Sequence, residues 1–193
     1  RLLTLWPQAQ IQVFTESAQR LQRYCPGAIP VSPTFAGRGS ASALPRSGQL
    51  AAEQIWKTTA PLLAGRGRGG GNPRPTLLDA VRKADVVVAS GGGFVNDVFW
   101  WHGAGVLSVL RMAQRLGKPT AMFGQGVGPL RHPLLRRLVA LTMPRLEVIG
   151  LREGVRSVPI LVAHGVDRER ISVTGDDALL MAAAATRPPT GDM

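Results

Sequence analysis

The stretch Ala84-Asp85-Val86-Val87-Val88-Ala89-Ser90-Gly91-Gly92-Gly93-Phe94-Val95-Asn96-Asp97 decides how the rest of the chain is read. Residues 86–89 form an unbroken apolar run of the kind found in strands buried on both faces, which predicts a central parallel strand. Three glycines follow at once. Without Cβ atoms they let backbone N–H groups come close to a ligand, an anion above all, and they equally serve a tight turn. The segment alone does not choose between the two.

Outward from it, apolar periodicity switches between strand and helix. Upstream, residues 77–84 read as a helix delivering the chain to the strand. Downstream, residues 103–116 place Val106, Val109, Leu110 and Ala113 on one helical stripe, with Arg111 and Arg115 outside it. Gly117 stands where a helix end favours a left-handed residue. A strand is predicted at 120–123, a helix at 134–145 with Leu134, Leu138 and Leu141 aligned, a strand at 148–151, a helix at 155–164 and a strand at 171–174. The chain opens with a β-α-β pattern: a strand at 11–15, a helix to about Arg23 and a strand at 28–31. Such alternation specifies parallel pairing through right-handed crossovers, hence an α/β fold with a doubly wound, mainly parallel, Rossmann-like sheet.

The expected organisation is one Rossmann-like domain over residues 1–175. It carries Gly/Pro/Arg-rich loops at about 35–47 and 65–75, with helical character at 49–63 between them. Residues 176–193 read as a terminal helix and linker towards a second domain. The first residues read as the tail of a helix, so the natural protein is expected to start earlier.

The chain has 193 residues, 45% of them hydrophobic, and a formal charge of +11. The charge is nearly all arginine and is spread over many segments, with only 5% aromatic residues. Nucleic-acid binders concentrate Lys and Arg on one face among stacking aromatics, so no nucleic-acid partner is expected. Cys25 is the single cysteine, which excludes an internal disulfide and argues against a metal site. No apolar run approaches the roughly 20 residues of a membrane span, and no signal peptide is evident, so the expected location is cytoplasmic.

In open α/β sheets ligands bind at the carboxyl ends of strands. The candidate residues therefore follow Ser90, Gly124, Arg152 and Gly175. A dinucleotide fingerprint would need glycine in place of Asn96 and an acidic residue ending the next strand, which ends instead in Phe123-Gly124-Gln125; a P-loop is also absent. No dinucleotide, metal or other cofactor is expected. Gly124-Gln125-Gly126-Val127-Gly128-Pro129-Leu130 again strips side chains from a strand end, and Arg152 with Glu153 leaves the next strand at the same edge. Arg152 suits either a bidentate clamp on a carboxylate or phosphate, or a pair with a neighbouring acid. Asp176 suits contact with an acceptor hydroxyl or the cap of a following helix. His102, after Phe99-Trp100-Trp101, suits proton transfer or simple packing beside the aromatics, whereas His132 and His164 lack acidic or thiol partners at catalytic spacing.

Taken in order, these segments resemble the polysaccharide pyruvyltransferase family. The matching residues are 84–93 with Asn96-Asp97, Gly117-Lys118-Pro119, residues 124–130, Arg152-Glu153, Gly165-Val166 and Val173-Thr174-Gly175-Asp176. The resemblance implies a two-domain transferase similar to GT-B glycosyltransferases. It implies pyruvyl transfer from phosphoenolpyruvate, as substrate, to a sugar of a polysaccharide or of its lipid-linked precursor, in cell-wall or exopolysaccharide assembly. A lipid-linked acceptor would bring peripheral contact with a membrane. The site residues implied are Ser90, Gly91, Gly92, Gly93 and Asn96 along the cleft, Gln125 and Gly126 as its floor, and Arg152 with Glu153 at the donor's anionic groups. Asp97 and Asp176 are the acid-base or acceptor-positioning candidates. The alternatives are a nucleotide-sugar glycosyltransferase of similar fold and a truncated, non-catalytic interaction module.

Overall fold

The computed structural model describes residues 6–15, 17–31 and 76–176. The expected loops at 35–47 and 65–75, the helical segment at 49–63 and the terminal helix lie outside them. The chain divides into two compact units, Arg1–Ala84 and Asp85–Met193.

In the first unit, β1 (Gln12–Phe14) and β2 (Ile29–Val31) pair in parallel with Gln12 opposite Ile29. They are joined through α1 (Ala18–Tyr24), whose first turn is capped by the Ser17 hydroxyl accepting from the Arg20 N–H. Helix α2 (Leu77–Lys83) starts on a Thr76 cap and buries Leu77, Leu78, Ala80 and Val81.

The second unit holds β3 (Val87–Val95), α3 (Trp100–Arg115), β4 (Thr120–Val127), α4 (Pro133–Thr142), β5 (Val148–Leu151), α5 (Ser157–Ala163) and β6 (Ile171–Val173). The four strands pair in parallel in the order β3-β4-β5-β6. With helices flanking an all-parallel sheet, this is the Rossmann-like α/β fold that the alternation predicts. The strand order advances in one direction, so right-handed crossovers lay α3, α4 and α5 over one face. That face carries the core, where Leu107 and Leu110 of α3, Leu135 and Val139 of α4 and Leu161 of α5 meet Met122, Ile149 and Leu151 of the strands. Burying each such side chain contributes about 1.5–3 kcal/mol.

The opposite face exposes Val88, Phe123 and Val148. Burial of strand 86–89 on both faces is therefore not observed: Val86 and Val88 stand about half exposed, and among the described residues β3 pairs only with β4. A run of valines satisfies a strand with one open face as well as one with none. The α4 stripe also differs. Leu135, Leu138, Val139 and Thr142 face the core while Leu141 turns outward. Both stripes have helical spacing, and the polar Thr142 disguised the buried one. Helix α3 ends as its sequence suggests, with Gly117 at φ +71° and the Lys118 N–H donating to the Ala113 carbonyl.

The largest departure is in the glycine segments. The strands predicted to stop at Ala89 and Phe123 run on through the glycines to Val95 and Val127. Gly92 lies opposite Gln125 and Val95 opposite Val127, with shifts of register between Gly92 and Val95 on β3 and between Met122 and Gln125 on β4. Gly91, Gly92 and Gly124 take positive φ there, a backbone that β-branched residues resist. The glycines bend the strands without ending them.

Candidate active site

The carboxyl ends of β3, β4 and β5 converge on one side chain, that of Arg152. It is the first residue after β5, and its N–H donates to the Gln125 carbonyl at 3.0 Å, which fixes its starting point. From there the guanidinium lies across the two glycine-rich strands. A Cβ at Gly93 would stand 2.8 Å from its Nη2, and one at Gly126 would stand 3.0 Å from its Nε. Neither glycine has a positive φ, so neither is there for backbone freedom. They leave a trough in which a flat, cationic fork can lie.

Asp176 is brought to the same edge by β6, whose pairing with β5 continues through the Thr174 N–H to the Leu151 carbonyl at 2.7 Å. Its Oδ2 is 3.7 Å from the Arg152 Nη1, and both side chains are nearly half exposed. At that exposure the pair is worth about 0–1 kcal/mol. It orients the guanidinium without consuming its capacity, since Arg carries five N–H donors.

The other predicted site residues divide by what their polar atoms hold. The two Asp97 carboxylate oxygens accept the Arg131 N–H at 2.7 and 2.9 Å, and one also accepts the His132 N–H at 3.0 Å. Pro133 begins α4 and His132 makes no side-chain cap, so Asp97 serves as the cap from 35 residues away. The His132 N–H, aided by that of Arg131, holds the Asp97 carboxyl below its ordinary value of 3.8. It is ionised at neutral pH and committed to the backbone.

The sign of the linkage follows. A depressed folded-state pKa stabilises above the unfolded value and is lost as pH falls through the folded one. Asp97→Ala should therefore lower the melting temperature most at neutral pH, and wild type and variant should converge as the pH drops below about 4. Thermal melts across an acid series check this; a gap that persists undiminished into strong acid would refute it.

Glu153 behaves similarly. One oxygen accepts the Ser157 N–H at 3.1 Å and the Ser157 hydroxyl, and the other accepts the Arg156 N–H at 3.0 Å, which together hold its pKa down. Ser157, to which the sequence assigned no role, is fully buried and also receives the Val127 N–H at 2.9 Å. It ties the end of β4 to the start of α5. Asn96 accepts the Val98 and Phe99 N–H groups at 2.8 and 2.9 Å and donates to the Gly93 carbonyl. Gln125 is fully buried, and among the described residues neither atom of its amide has a hydrogen-bond partner. Ser90 is exposed on the open sheet face, in register with Phe123.

Of the three histidines, His102 is exposed and meets the Phe94 ring edge-on at 4.8 Å, and His132 stacks on Trp100 at 4.1 Å. His164 has its Nδ1 2.7 Å from the Ile160 carbonyl. No group of three or more metal-ligating side chains stands together among the described residues, and no helix there is long and apolar enough to cross a membrane. What the edge offers chemically is a half-exposed guanidinium on a side-chain-free floor, with one carboxylate beside it: a receptor for a small, planar or tetrahedral anion.

Neither the curated proteins nor the solved structures contain a match to this chain. The family model for polysaccharide pyruvyl transferase, in contrast, matches residues 14–191. That match spans both glycine segments, Arg152 and Asp176, and it places the chain in the polysaccharide pyruvyl transferase family.

Proposed function

We propose that the chain transfers a pyruvyl group from phosphoenolpyruvate to a sugar of a polysaccharide or of its lipid-linked precursor, as part of a two-domain, GT-B-like enzyme acting in the cytoplasm. The observation that supports this most directly is the Arg152 guanidinium lying over Gly93 and Gly126 at the strand ends. Phosphoenolpyruvate carries a carboxylate and a phosphate, and a planar fork on an open backbone floor suits either.

The reaction asks for little more than charge and placement. A proton adds to C3 of the enol, leaving a cationic C2. A sugar hydroxyl oxygen bonds to C2 and gives up its proton, and the C2–O bond to phosphorus-bound oxygen breaks as phosphate leaves. A second hydroxyl of the same sugar then closes the ketal, its proton ending on phosphate. Arg152 would hold the anionic groups through these steps and favour departure of phosphate. Asp176, half exposed and beside the guanidinium, is the carboxylate suited to receive the first hydroxyl proton. Asp97, Asn96 and Glu153 would act by holding the strand ends and helix starts in place.

The direct test is incubation of the full-length protein with phosphoenolpyruvate and candidate glycans, reading phosphate release and pyruvylated sugar; neither product appearing would end the proposal. A finer test uses the trough. Gly93→Ala sets a methyl 2.8 Å from the Arg152 Nη2. The guanidinium is the far end of a flexible, half-exposed side chain, so it moves aside with stability changed by less than about 1 kcal/mol. Displacement of a substrate-holding group by about 1 Å is expected to lower kcat/KM by roughly 10- to 100-fold. Unchanged kinetics in a variant of unchanged melting temperature would detach the trough from the chemistry.

A further inference from the structure

Directly after the glycine strand, the chain exposes an aromatic and apolar group that nothing in the pyruvyl-transfer chemistry uses. Val98 is 65% and Phe99 49% exposed, and Trp101 is half-buried beside them. Apolar side chains grouped together at the surface, rather than scattered singly, suit contact with a partner.

The backbone beneath them is fixed. The Asn96 carboxamide oxygen holds the Val98 and Phe99 N–H groups while its nitrogen donates to the Gly93 carbonyl. One asparagine side chain therefore connects the glycine floor to this shelf. Trp100 is anchored from behind by face-to-face stacking on His132, with the planes 9° apart. In front, the Trp101 ring lies 6.1 Å from Phe99 at 65° and 6.3 Å from Trp100 at 88°. The rings are not coplanar. They meet as a corner, which fits a compact ring better than a flat bilayer surface.

We infer that Phe99 and Trp101 form the subsite for a pyranose ring of the acceptor glycan, a reading that rests on the proposed transfer to a sugar. The weakly positive C–H face of a pyranose packs against the negative face of an aromatic ring, and its hydroxyls stay at the rim in water. Rigid aromatic walls cost little conformational entropy on binding, and these are held before any ligand arrives. The backbone of the shelf is tied by one asparagine side chain to Gly93, the glycine over which Arg152 is laid.

The test is binding by the full-length protein, without phosphoenolpyruvate, of two defined probes, cellotetraose and β-1,4-galactotetraose, by isothermal titration and saturation-transfer NMR. Wild type is expected to bind at least one, with transfer concentrated on the C–H protons of one ring face. Trp101→Ala and Phe99→Ala should each weaken binding at least tenfold, and Trp101→Phe should restore most of it, with melting temperatures close to wild type. No saturable binding of either probe by the wild type, or binding indifferent to both alanine variants, overturns the inference. So does a result in which the alanine variants abolish sedimentation with phosphatidylglycerol vesicles and leave tetrasaccharide binding intact, because the shelf then serves a membrane. Failure of the transfer reading is seen separately, as absent phosphate release in a protein whose glycan binding still depends on Trp101.

Discussion

Arg152→Ala is expected to lower kcat/KM for phosphoenolpyruvate by about 10²- to 10³-fold while leaving the melting temperature nearly unchanged. The first half follows from chemistry: removing a charge-assisted donor that meets developing negative charge in a partly desolvated site costs about 3–4 kcal/mol of transition-state stabilisation. The second half follows from placement. The side chain is 42% exposed, and its ion pair with Asp176 at 3.7 Å contributes at most about 1 kcal/mol. The backbone N–H that docks the residue on the Gln125 carbonyl survives the substitution. Arg152→Lys should fall between, because it retains the charge but loses the planar fork, and the loss should appear mainly as a raised KM for phosphoenolpyruvate. Steady-state kinetics beside thermal melts check the pair of statements. A variant with wild-type kcat/KM would remove Arg152 from the site, and one that fails to fold would contradict its placement at the rim.

Much of this arrangement was legible in the sequence, and what escaped had definite causes. The strand at Val148–Leu151 was readable to the residue because a short apolar run bounded by polar and charged residues leaves little choice. Arg152 was readable because the first residue after a parallel strand stands at the ligand-binding edge. The roles of Gly93 and Gly126 were not. Whether a glycine turns a chain or clears space beneath another side chain depends on what lies above it, and that is set by register between strands. The orientation of the Gln125 side chain was not legible for a related reason. The register shift near Gly124 resets the alternation of β4, so its side chain is buried and only its backbone carbonyl meets Arg152. The two caps show the same divide. Glu153 and Ser157 are four residues apart, a spacing open to inspection, whereas Asp97 serves N–H groups 34 and 35 residues away and could be assigned only once β3 and β4 were seen side by side.

Gly103→Ala should destabilise the protein by about 1–3 kcal/mol, although alanine is the better helix former by about 1 kcal/mol. Gly103 lies in the first turns of α3, where that helix crosses the end of β3. A Cβ there would stand 2.7 Å from the Phe94 carbonyl oxygen and 3.2 Å from a Leu135 methyl. The leucine could adjust by a rotamer. The carbonyl belongs to the backbone of the glycine strand, so relief requires α3 and β3 to move apart. That shift would carry Phe94 with it, and Phe94 is bonded on one side to Gly93 and on the other to core residue Val95. The close approach of helix and strand is thus what sets the height of the glycine floor under Arg152. Two readouts follow from one methyl group: a melting temperature lower by roughly 2–12 °C, and a fall in kcat/KM measured well below that temperature. Adding Leu135→Ala should not restore stability, because the methyl contact is the softer of the two and emptying this fully buried site itself costs about 2–5 kcal/mol. A rise in melting temperature, the result helix propensity alone would give, would show that the strand end yields and that α3 does not fix the site.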